Sequence, residues 1–252
     1  MNIEGVRNLK YVGQRIPRRE DARLLQGKGQ YVADMELPGM LHAVFVRSPV
    51  AHALIKSVST EAAEQAPGVV RILTGAQLEK MLPPVPDNQL VLPSKWKALV
   101  PHRILNPRQS LLCTDKARHV GEAVAVVIAT SRVAAEDASE LVEVDYEMPP
   151  AIVAPMNALE KGSALVHESL KTNEIGWFTV GKGDADKALA AAPRRIKRTF
   201  LHHRYGAMPI ETRGLIAVHD ERTDTHTIWS STQVVHWVQR EIATTLQVPE
   251  AR

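Results

Sequence analysis

The residue with the clearest chemical potential in this sequence is Gln233, which ends the polar run Ser230–Gln233. A strand-like run precedes it and an amphipathic helix follows it, so elements on both sides would hold its backbone. A glutamine amide held in this way carries an N–H donor that can stabilise an oxo group or a polarised substrate oxygen. Ser230, Ser231 and Thr232 compete to cap the helix, so the residues alone leave Gln233 either as a site residue or as a neighbour of the cap.

A second polar pattern is Glu211 with Arg213, two residues apart in a stretch with strand character. Side chains at this spacing share one face of a strand, where a carboxylate and a guanidinium would pair. The favoured interpretation is a structural ion pair. A catalytic carboxylate at Glu211 is the alternative.

The other polar candidates have weaker patterns. His202, His203 and His236 have no Cys, Asp or Glu at metal-ligand spacing, so packing or surface roles are favoured. The stretch 181–186, GKGDAD, lacks the Lys-Ser/Thr of a Walker loop and is interpreted as a turn. Ser48, in the turn that also carries Arg47 and His52, lacks the strand-to-helix elbow of an activated serine.

Composition limits the function classes. Cys113 is the one cysteine of 252 residues, which excludes an internal disulfide and a thiolate metal cluster held by this chain alone. The formal net charge is only +3, and the one dense basic cluster, 194–198, has no aromatic interleaving, so a nucleic-acid partner is not expected. No run is apolar enough to span a bilayer or to act as a secretory signal, and the expected compartment is the cytoplasm.

The first half of the chain is predicted to be α+β, with two strand–helix–strand halves. Between them, 81–109 carries six prolines and little periodicity, which indicates a long irregular insertion. Ser59 or Thr60 is the expected cap of the first helix, and Ser131 that of the second. The predicted strands are 41–48, 69–75, 122–130 and 142–148, and the predicted helices are 59–66 and 131–142.

The character changes after Pro149-Pro150, where consecutive prolines favour an extended linker. A β-rich second part follows it, with no evident closing half. Its predicted elements are a helix at 183–193 begun by Asp184 or Asp186, a strand at 194–206, a hairpin at 213–232 that turns at 220–225, and a helix at 234–248.

Taken together, these motifs resemble the large, molybdenum-binding subunit of the xanthine oxidase family. Within that family, the similarity is to the aerobic carbon monoxide dehydrogenase type and the bacterial aldehyde or N-heterocycle hydroxylase type. Several motifs in the family's order carry the resemblance, which extends from about residue 12 to residue 252. They are 18–58, 66–78 (APGVVRILTGAQL), 117–159, 210–214 (IETRG) and 229–236 (WSSTQVVH).

The resemblance implies an α/β hammerhead domain followed by the β-rich start of a molybdenum cofactor-binding domain. It places Gln233 beside the molybdenum, hydrogen-bonded to an oxo ligand, and makes Glu211 and Arg213 supporting residues of the cofactor site. The implied cofactor is a molybdopterin, favoured in its cytosine dinucleotide form. The family's glycine-rich loop and its glutamate base have no counterpart here, so this polypeptide alone is expected to be inactive.

The resemblance also implies boundaries and partners. The expected parts are an arm at 1–17, the hammerhead domain at 18–148, a linker at 149–172 and an incomplete cofactor-binding domain at 173–252. The chain is expected to be either a naturally separate portion of a split large subunit or a truncated piece of one. The expected partners are the remainder of the large subunit, on a separate chain in the first case, an iron–sulfur small subunit, an FAD-carrying medium subunit and a small-molecule substrate.

Two functions remain open at this point. In the first, the chain is a catalytic component of a molybdenum-dependent hydroxylase that oxidises an aldehyde, an N-heterocycle or carbon monoxide with oxygen from water. In the second, it is a non-catalytic scaffold that docks the electron-transfer subunits.

Overall fold

The computed structural model describes residues 11–85, 95, 102–107, 109–203 and 205–252. Contacts divide the chain into two compact units. One unit consists of the described residues up to Leu37 together with Gly206–Gln233. The other consists of the described residues within Pro38–Tyr205 together with Val234–Arg252.

The regular elements are numbered in chain order. The strands are β1 (His42–Arg47), β2 (Ala53–Ser59), β3 (Val69–Thr74), β4 (His102–Ile104), β5 (Lys116–Ala117), β6 (Ala123–Ala129), β7 (Glu143–Glu147), β8 (Gly176–Phe178), β9 (Leu215–Asp220) and β10 (Thr225–Ser230). The helices are α1 (Asp21–Leu25), α2 (Glu61–Glu64), α3 (Gly75–Met81), α4 (Arg132–Glu140), α5 (Ala185–Ala191) and α6 (Val235–Leu246). Short 3-10 turns lie at Val32–Asp34, Asn157–Leu159 and Glu168–Leu170.

The most apolar run of the chain forms the central strand of the first sheet. Strand β6 pairs antiparallel with β1 on one side and with β3 on the other, in the order β1–β6–β3. Helix α4 packs against all three strands. Because both faces of the central strand are covered, Val124, Ala125 and Val127 are fully buried.

A second sheet has the order β5–β2–β7 and shares its core with the first. Val58 of β2 and Val144 of β7 contact the buried residues of both sheets. Strand β2 is not predicted from the sequence, because Lys56, Ser57 and Ser59 interrupt its apolar pattern. A bulge also shifts its register between Ile55 and Ser57. The mixed α/β class and the order of the predicted elements around β2 are confirmed.

Two of the expected helix caps form and one does not. Ser131 Oγ accepts a hydrogen bond from Ala134 N at 3.2 Å, and the Asp184 carboxylate accepts one from Lys187 N at 2.9 Å. At α2, the Thr60 hydroxyl donates to Glu64 at 2.8 Å instead of capping the helix. With its cap missing, α2 spans only four residues, Glu61–Glu64, and is shorter than predicted.

The central strand supports a stability prediction. Val127 is fully buried in the core shared by the two sheets, so Val127→Ala removes two methyl groups and leaves a cavity. We expect the free energy of unfolding, measured by urea titration, to fall by about 2 kcal/mol. Val133 is 65% exposed on the solvent side of α4, so Val133→Ala is the matched control. It should change the free energy of unfolding by less than about 0.5 kcal/mol. Equal effects of the two substitutions would contradict the assigned core.

Part of the proline-rich insertion lies outside the described residues, namely 86–94, 96–101 and 108. Its described ends are tied to the rest of the unit. Val85 N donates to Gln109 O at 3.1 Å, and β4 pairs antiparallel with β8. The prediction of an irregular insertion is therefore wrong at 102–104, where a strand forms.

The segment after Pro149-Pro150 follows the surface of the same unit through turns, not as the predicted extended run. It contains two of the 3-10 turns, and Asn173 stabilises the loop between them by accepting from Val166 N at 2.9 Å and donating to Ala164 O at 2.8 Å. Next to these turns, the ammonium of Lys116, a buried side chain of β5, donates to the carboxylate of Glu168. This ion pair joins the segment to the second sheet.

The Lys116–Glu168 pair predicts a pH-dependent stability. The Lys116 hydrogen bond lowers the pKa of the Glu168 carboxyl, so the stabilisation is present above the carboxyl's ordinary pKa of 4.5 and is lost as the pH falls through its lower folded value. Glu168 is partly exposed and screened, so Glu168→Gln should cost only about 1 kcal/mol at pH 7. Urea titrations of both proteins should converge as the pH falls below the lowered folded pKa of this carboxyl.

The exposed pair Lys56–Glu147 offers the control, because Glu147→Gln breaks a similar contact between two solvated side chains. We expect no measurable loss of stability in that variant. A difference between wild type and Glu168→Gln that does not shrink as the carboxyl is titrated at acidic pH would contradict the assignment to this ion pair.

The hairpin predicted in the second part of the chain is confirmed. Strands β9 and β10 pair antiparallel, with Leu215 opposite Ser230 at one end and Asp220 opposite Thr225 next to the turn. Asp224 adopts the left-handed conformation in this turn. The prediction of a strand at 194–206 is wrong, because the described residues of this range form neither strand nor helix. Among the described residues, no helix has the length and apolar character to cross a membrane.

Candidate functional site

Gln233 lies in the short connection between the hairpin and the last helix. Strand β10 ends at Ser230, and α6 begins at Val235. The Gln233 side chain is exposed, and its amide makes no hydrogen bond to any residue that the structure describes. The amide is therefore available as a donor and acceptor to a group outside the described chain.

Ser231 fixes the backbone that presents this glutamine. Its hydroxyl accepts from Gly214 N at 2.8 Å and donates to Thr212 O at 3.0 Å, and its own backbone N donates to Gly214 O at 3.1 Å. These bonds tie the end of β10 to the segment before β9. None of the three hydroxyl residues caps α6, because the N-cap residue is Val234, which makes no side-chain cap hydrogen bond.

The role of Ser231 was not found from the sequence, where it was only one of three possible caps. The only available signal was its position directly after a strand, where a hydroxyl often bonds to backbone groups of a neighbouring segment. The bonding partner, Gly214, is 17 residues away in sequence. A contact of this kind appears only once the hairpin register is known.

Glu211 and Arg213 do not form the expected ion pair. Both precede β9 in irregular backbone, so a spacing of two residues does not place their side chains on one face. Glu211 Oε1 instead accepts from the backbone N of Val32 at 3.3 Å, which links this segment to the 3-10 turn near the start of the chain. Arg213 is exposed, and none of the described carboxylates pairs with it.

The structure thus brings together two of the segments that carry predicted site residues. Arg213 sits between Thr212 and Gly214, both of which hydrogen-bond to Ser231, two residues before Gln233. Glu211 lies next to this contact, and its carboxylate accepts a hydrogen bond from the backbone N of Val32. The arrangement can present one amide and one guanidinium to a ligand, with the backbone held by Ser231 and Glu211.

None of the described side chains forms a metal centre. No group of three or more His, Cys, Asp or Glu residues within the described ranges is placed to hold an ion. His202, His203 and His236 are exposed, as expected for surface histidines. Burial, followed by the charge of Glu122, raises the pKa of the Cys113 thiol to about 12, so this sulfur stays protonated and is a poor ligand.

Two family models match the chain. The aldehyde oxidase and xanthine dehydrogenase a/b hammerhead domain matches residues 26–150, and the molybdopterin cofactor-binding domain matches residues 166–252. Gln233, Glu211 and Arg213 all fall within the second match. The hammerhead match contains both three-stranded sheets.

Individual relatives agree with these matches. The nicotine 6-hydroxylase large subunit of Paenarthrobacter nicotinovorans is 35% identical over 96% of this chain and 28% of its own length. The carbon monoxide dehydrogenase large chain of Afipia carboxidovorans is 34% identical over 99% of this chain and 30% of its own length. Among solved structures, quinoline 2-oxidoreductase from Pseudomonas putida 86 is similar with a TM-score of 0.79 and 33% identity, over 94% of this chain and 29% of that chain.

The chain therefore spans about 28–30% of the length of these relatives. The predicted α+β architecture, a hammerhead domain followed by the beginning of a molybdenum cofactor-binding domain, is confirmed by both family models and by the solved structures. On this evidence, the chain belongs to the xanthine oxidase family of molybdenum hydroxylases.

Proposed function

We propose that this chain is a component of a molybdenum-dependent hydroxylase or dehydrogenase, and that it contributes the Gln233 amide to the cofactor site. The observation that carries the proposal is the exposed amide without a described partner, on backbone fixed by Ser231, within the region that matches the cofactor-binding domain. An exposed amide on a fixed backbone can donate to and accept from a ligand without first breaking a bond inside its own fold.

The described residues fit only part of what a molybdopterin cofactor requires. Such a group carries a pterin, phosphate and a metal, and it must be enclosed by convergent donors from several segments. The described residues provide one amide, at Gln233, and one exposed guanidinium, at Arg213, with no set of metal ligands among them. In this proposal, the described residues do not hold the cofactor by themselves, and no reaction step is assigned to them beyond presenting these donors.

The role of Arg213 in this proposal is electrostatic. Its guanidinium is exposed and forms no ion pair with a described residue, so it can pair with a phosphate of the cofactor. Glu211 acts indirectly, since its carboxylate holds Val32 N and thereby the segment that carries Arg213. The cytosine dinucleotide form of the cofactor, with two phosphates, fits this role.

In this proposal, parts of the large subunit outside the described residues complete the site by supplying the donors that these residues lack, and iron–sulfur and FAD subunits receive the electrons. The relatives include a carbon monoxide dehydrogenase and a nicotine hydroxylase, so the proposed substrates are an aldehyde, an N-heterocycle or carbon monoxide, with water as the source of oxygen.

A turnover assay tests this function. The chain is purified alone and, separately, with whatever assembles on it in its host, and each sample is given an aldehyde, an N-heterocycle or carbon monoxide with an artificial electron acceptor. The assembled sample should reduce the acceptor with at least one substrate, and the isolated chain should reduce it with none. Turnover by the isolated chain, or no turnover by an assembly that contains molybdenum, would refute the proposal.

A further inference from the structure

The imidazole of His52 is buried within the hammerhead domain and bonded to a segment far away in the sequence. Only 7% of the residue is exposed. Its Nδ1 atom lies 3.0 Å from the carbonyl oxygen of Pro150, 98 residues later in the chain. Burying a polar side chain costs free energy unless a hydrogen bond offsets the loss of water. The contact with Pro150 is therefore the feature of His52 that requires an explanation.

This contact takes the place of backbone pairing that proline prevents. Strands β2 and β7 pair as far as Leu54 opposite Glu147. Continued by two residues, the same antiparallel register would place His52 opposite Pro149. Pro149 and Pro150 carry no backbone N–H, so the ladder cannot continue through them. The side chain of His52 supplies an N–H group to this part of the chain instead.

The geometry fixes which ring nitrogen of His52 carries the proton. A carbonyl oxygen only accepts, so Nδ1 must donate its hydrogen to Pro150 O. The other nitrogen, Nε2, is buried and has no hydrogen-bond partner among the described residues. Buried N–H groups without an acceptor are rare, so Nε2 fits a lone pair and not a second N–H. The contact therefore requires the Nδ1–H tautomer.

His52 is itself held on both sides. In the turn before it, the Ser48 hydroxyl donates to Val50 O at 2.9 Å and accepts from Val50 N at 3.2 Å. The backbone N of Ser48 donates to Glu122 O at 2.8 Å, which ties the turn to the start of β6. The residue after His52 is Ala53, which is fully buried and begins β2. The imidazole is thus fixed before it meets Pro150.

The chain that follows Pro150 connects the two regions matched by the family models. We call residues 151–165, which lie between the two matches, the connector. Because the φ angles of Pro149 and Pro150 are fixed by their rings, the position of Pro150 O sets the direction in which the connector begins. The far end of the connector is held by the buried Lys116, which donates to Glu168. Both contacts come from the second sheet or from the turn that leads into it.

We infer that His52 is a positioning residue: through Nδ1–H it fixes the point at which the chain leaves the hammerhead domain, and with it the start of the connector. This role goes beyond the proposed function, since it involves neither the cofactor nor Gln233. The competing explanation is that the imidazole only fills space in the core.

Two substitutions separate the hydrogen bond from the filling of space. Asparagine carries its N–H group at the δ position, as His52 does, whereas glutamine carries it one bond further along the side chain. Asparagine is also the smaller of the two and leaves the larger cavity. A positioning role therefore requires His52→Asn to behave more like wild type than His52→Gln does, and a space-filling role requires the opposite order.

Hydrogen–deuterium exchange on the full 252-residue chain measures this order in the connector. The amides of Leu159, Glu160 and Ser163 each donate to a backbone carbonyl of the connector and report its local opening. These amides should exchange roughly fivefold or more faster in His52→Gln, and within about twofold of the wild-type rate in His52→Asn. His236→Asn and His236→Gln, at an exposed histidine of α6, are the matched controls and should leave the rates unchanged.

Nuclear magnetic resonance of the wild-type chain keeps the inference testable if a substitution at His52 prevents folding. Long-range proton–nitrogen spectra at about pH 7.5 should show His52 with a proton on Nδ1 and none on Nε2. The opposite tautomer would overturn the inference, because Nδ1 could not then donate to Pro150 O. Faster exchange in His52→Asn than in His52→Gln, or wild-type rates in both, would also overturn it. None of these measurements requires molybdenum, so the inference and the proposed function can fail independently.

Discussion

Gln233→Ala in the assembled enzyme should lower turnover about 100-fold while the molybdenum content stays unchanged. The substitution removes one preorganised amide donor and leaves Ser231, which fixes the local backbone, untouched. The loss should therefore appear in kcat, because binding of the cofactor depends on many other donors. Steady-state kinetics and metal analysis on the same preparation measure the two quantities together.

Gln239→Ala is the matched control for this experiment. Gln239 is an exposed glutamine of α6 whose amide donates to Glu250 O at 2.8 Å, and it has no proposed role at the cofactor. Its substitution should leave both turnover and molybdenum content at the wild-type level. Unchanged turnover in Gln233→Ala would remove the catalytic role and favour the scaffold function instead.

Gly75→Ala should destabilise the unit that contains the two sheets more than any other substitution considered in this chain. A Cβ atom at Gly75 would lie 2.0 Å from the carbonyl oxygen of Cys113 and 2.6 Å from its carbonyl carbon. These are backbone atoms, so no side-chain rotation relieves the overlap. We expect a loss of about 3 kcal/mol or more, which corresponds to a decrease in Tm of roughly 10 °C.

Gly181→Ala controls for the change from glycine to alanine. No described atom lies within 4 Å of a Cβ built at Gly181, and its backbone does not require a positive φ. Thermal unfolding of this variant should match or slightly exceed that of the wild type, because alanine reduces the conformational freedom of the unfolded chain. A Tm of Gly75→Ala equal to that of Gly181→Ala would show that α3 does not pack against Cys113 as described.

The elements that can be predicted from the sequence are those whose signal is local. The buried run of β6, the capped helix at Ser131 and the hairpin of β9 and β10 each have a pattern within about a dozen residues. Strand β2 was missed because polar residues interrupt it and its pairing with β7 involves residues almost 90 positions away. The contact between Gly75 and Cys113 is equally non-local, so nothing in the neighbouring sequence marks that glycine.

The candidate site also combines features that the local sequence predicts with features that depend on distant contacts. The position of Gln233 between a strand and a helix can be predicted, and the structure places it there. The Glu211–Arg213 pair was predicted from their spacing alone, and it fails because their backbone is irregular and Val32 N satisfies the carboxylate. The strand at 194–206 was predicted from residue preferences, which do not report whether a pairing partner is present.

The central claim is that the described residues form one wall of a pocket whose other walls lie outside them. Native mass spectrometry combined with metal analysis, performed on the isolated chain and on the assembly purified through it, tests this claim most directly. We predict no molybdenum and no pterin on the isolated chain of these 252 residues, and one of each per copy of this chain in the assembly. Molybdenum and pterin bound at full occupancy to the isolated chain would contradict the claim.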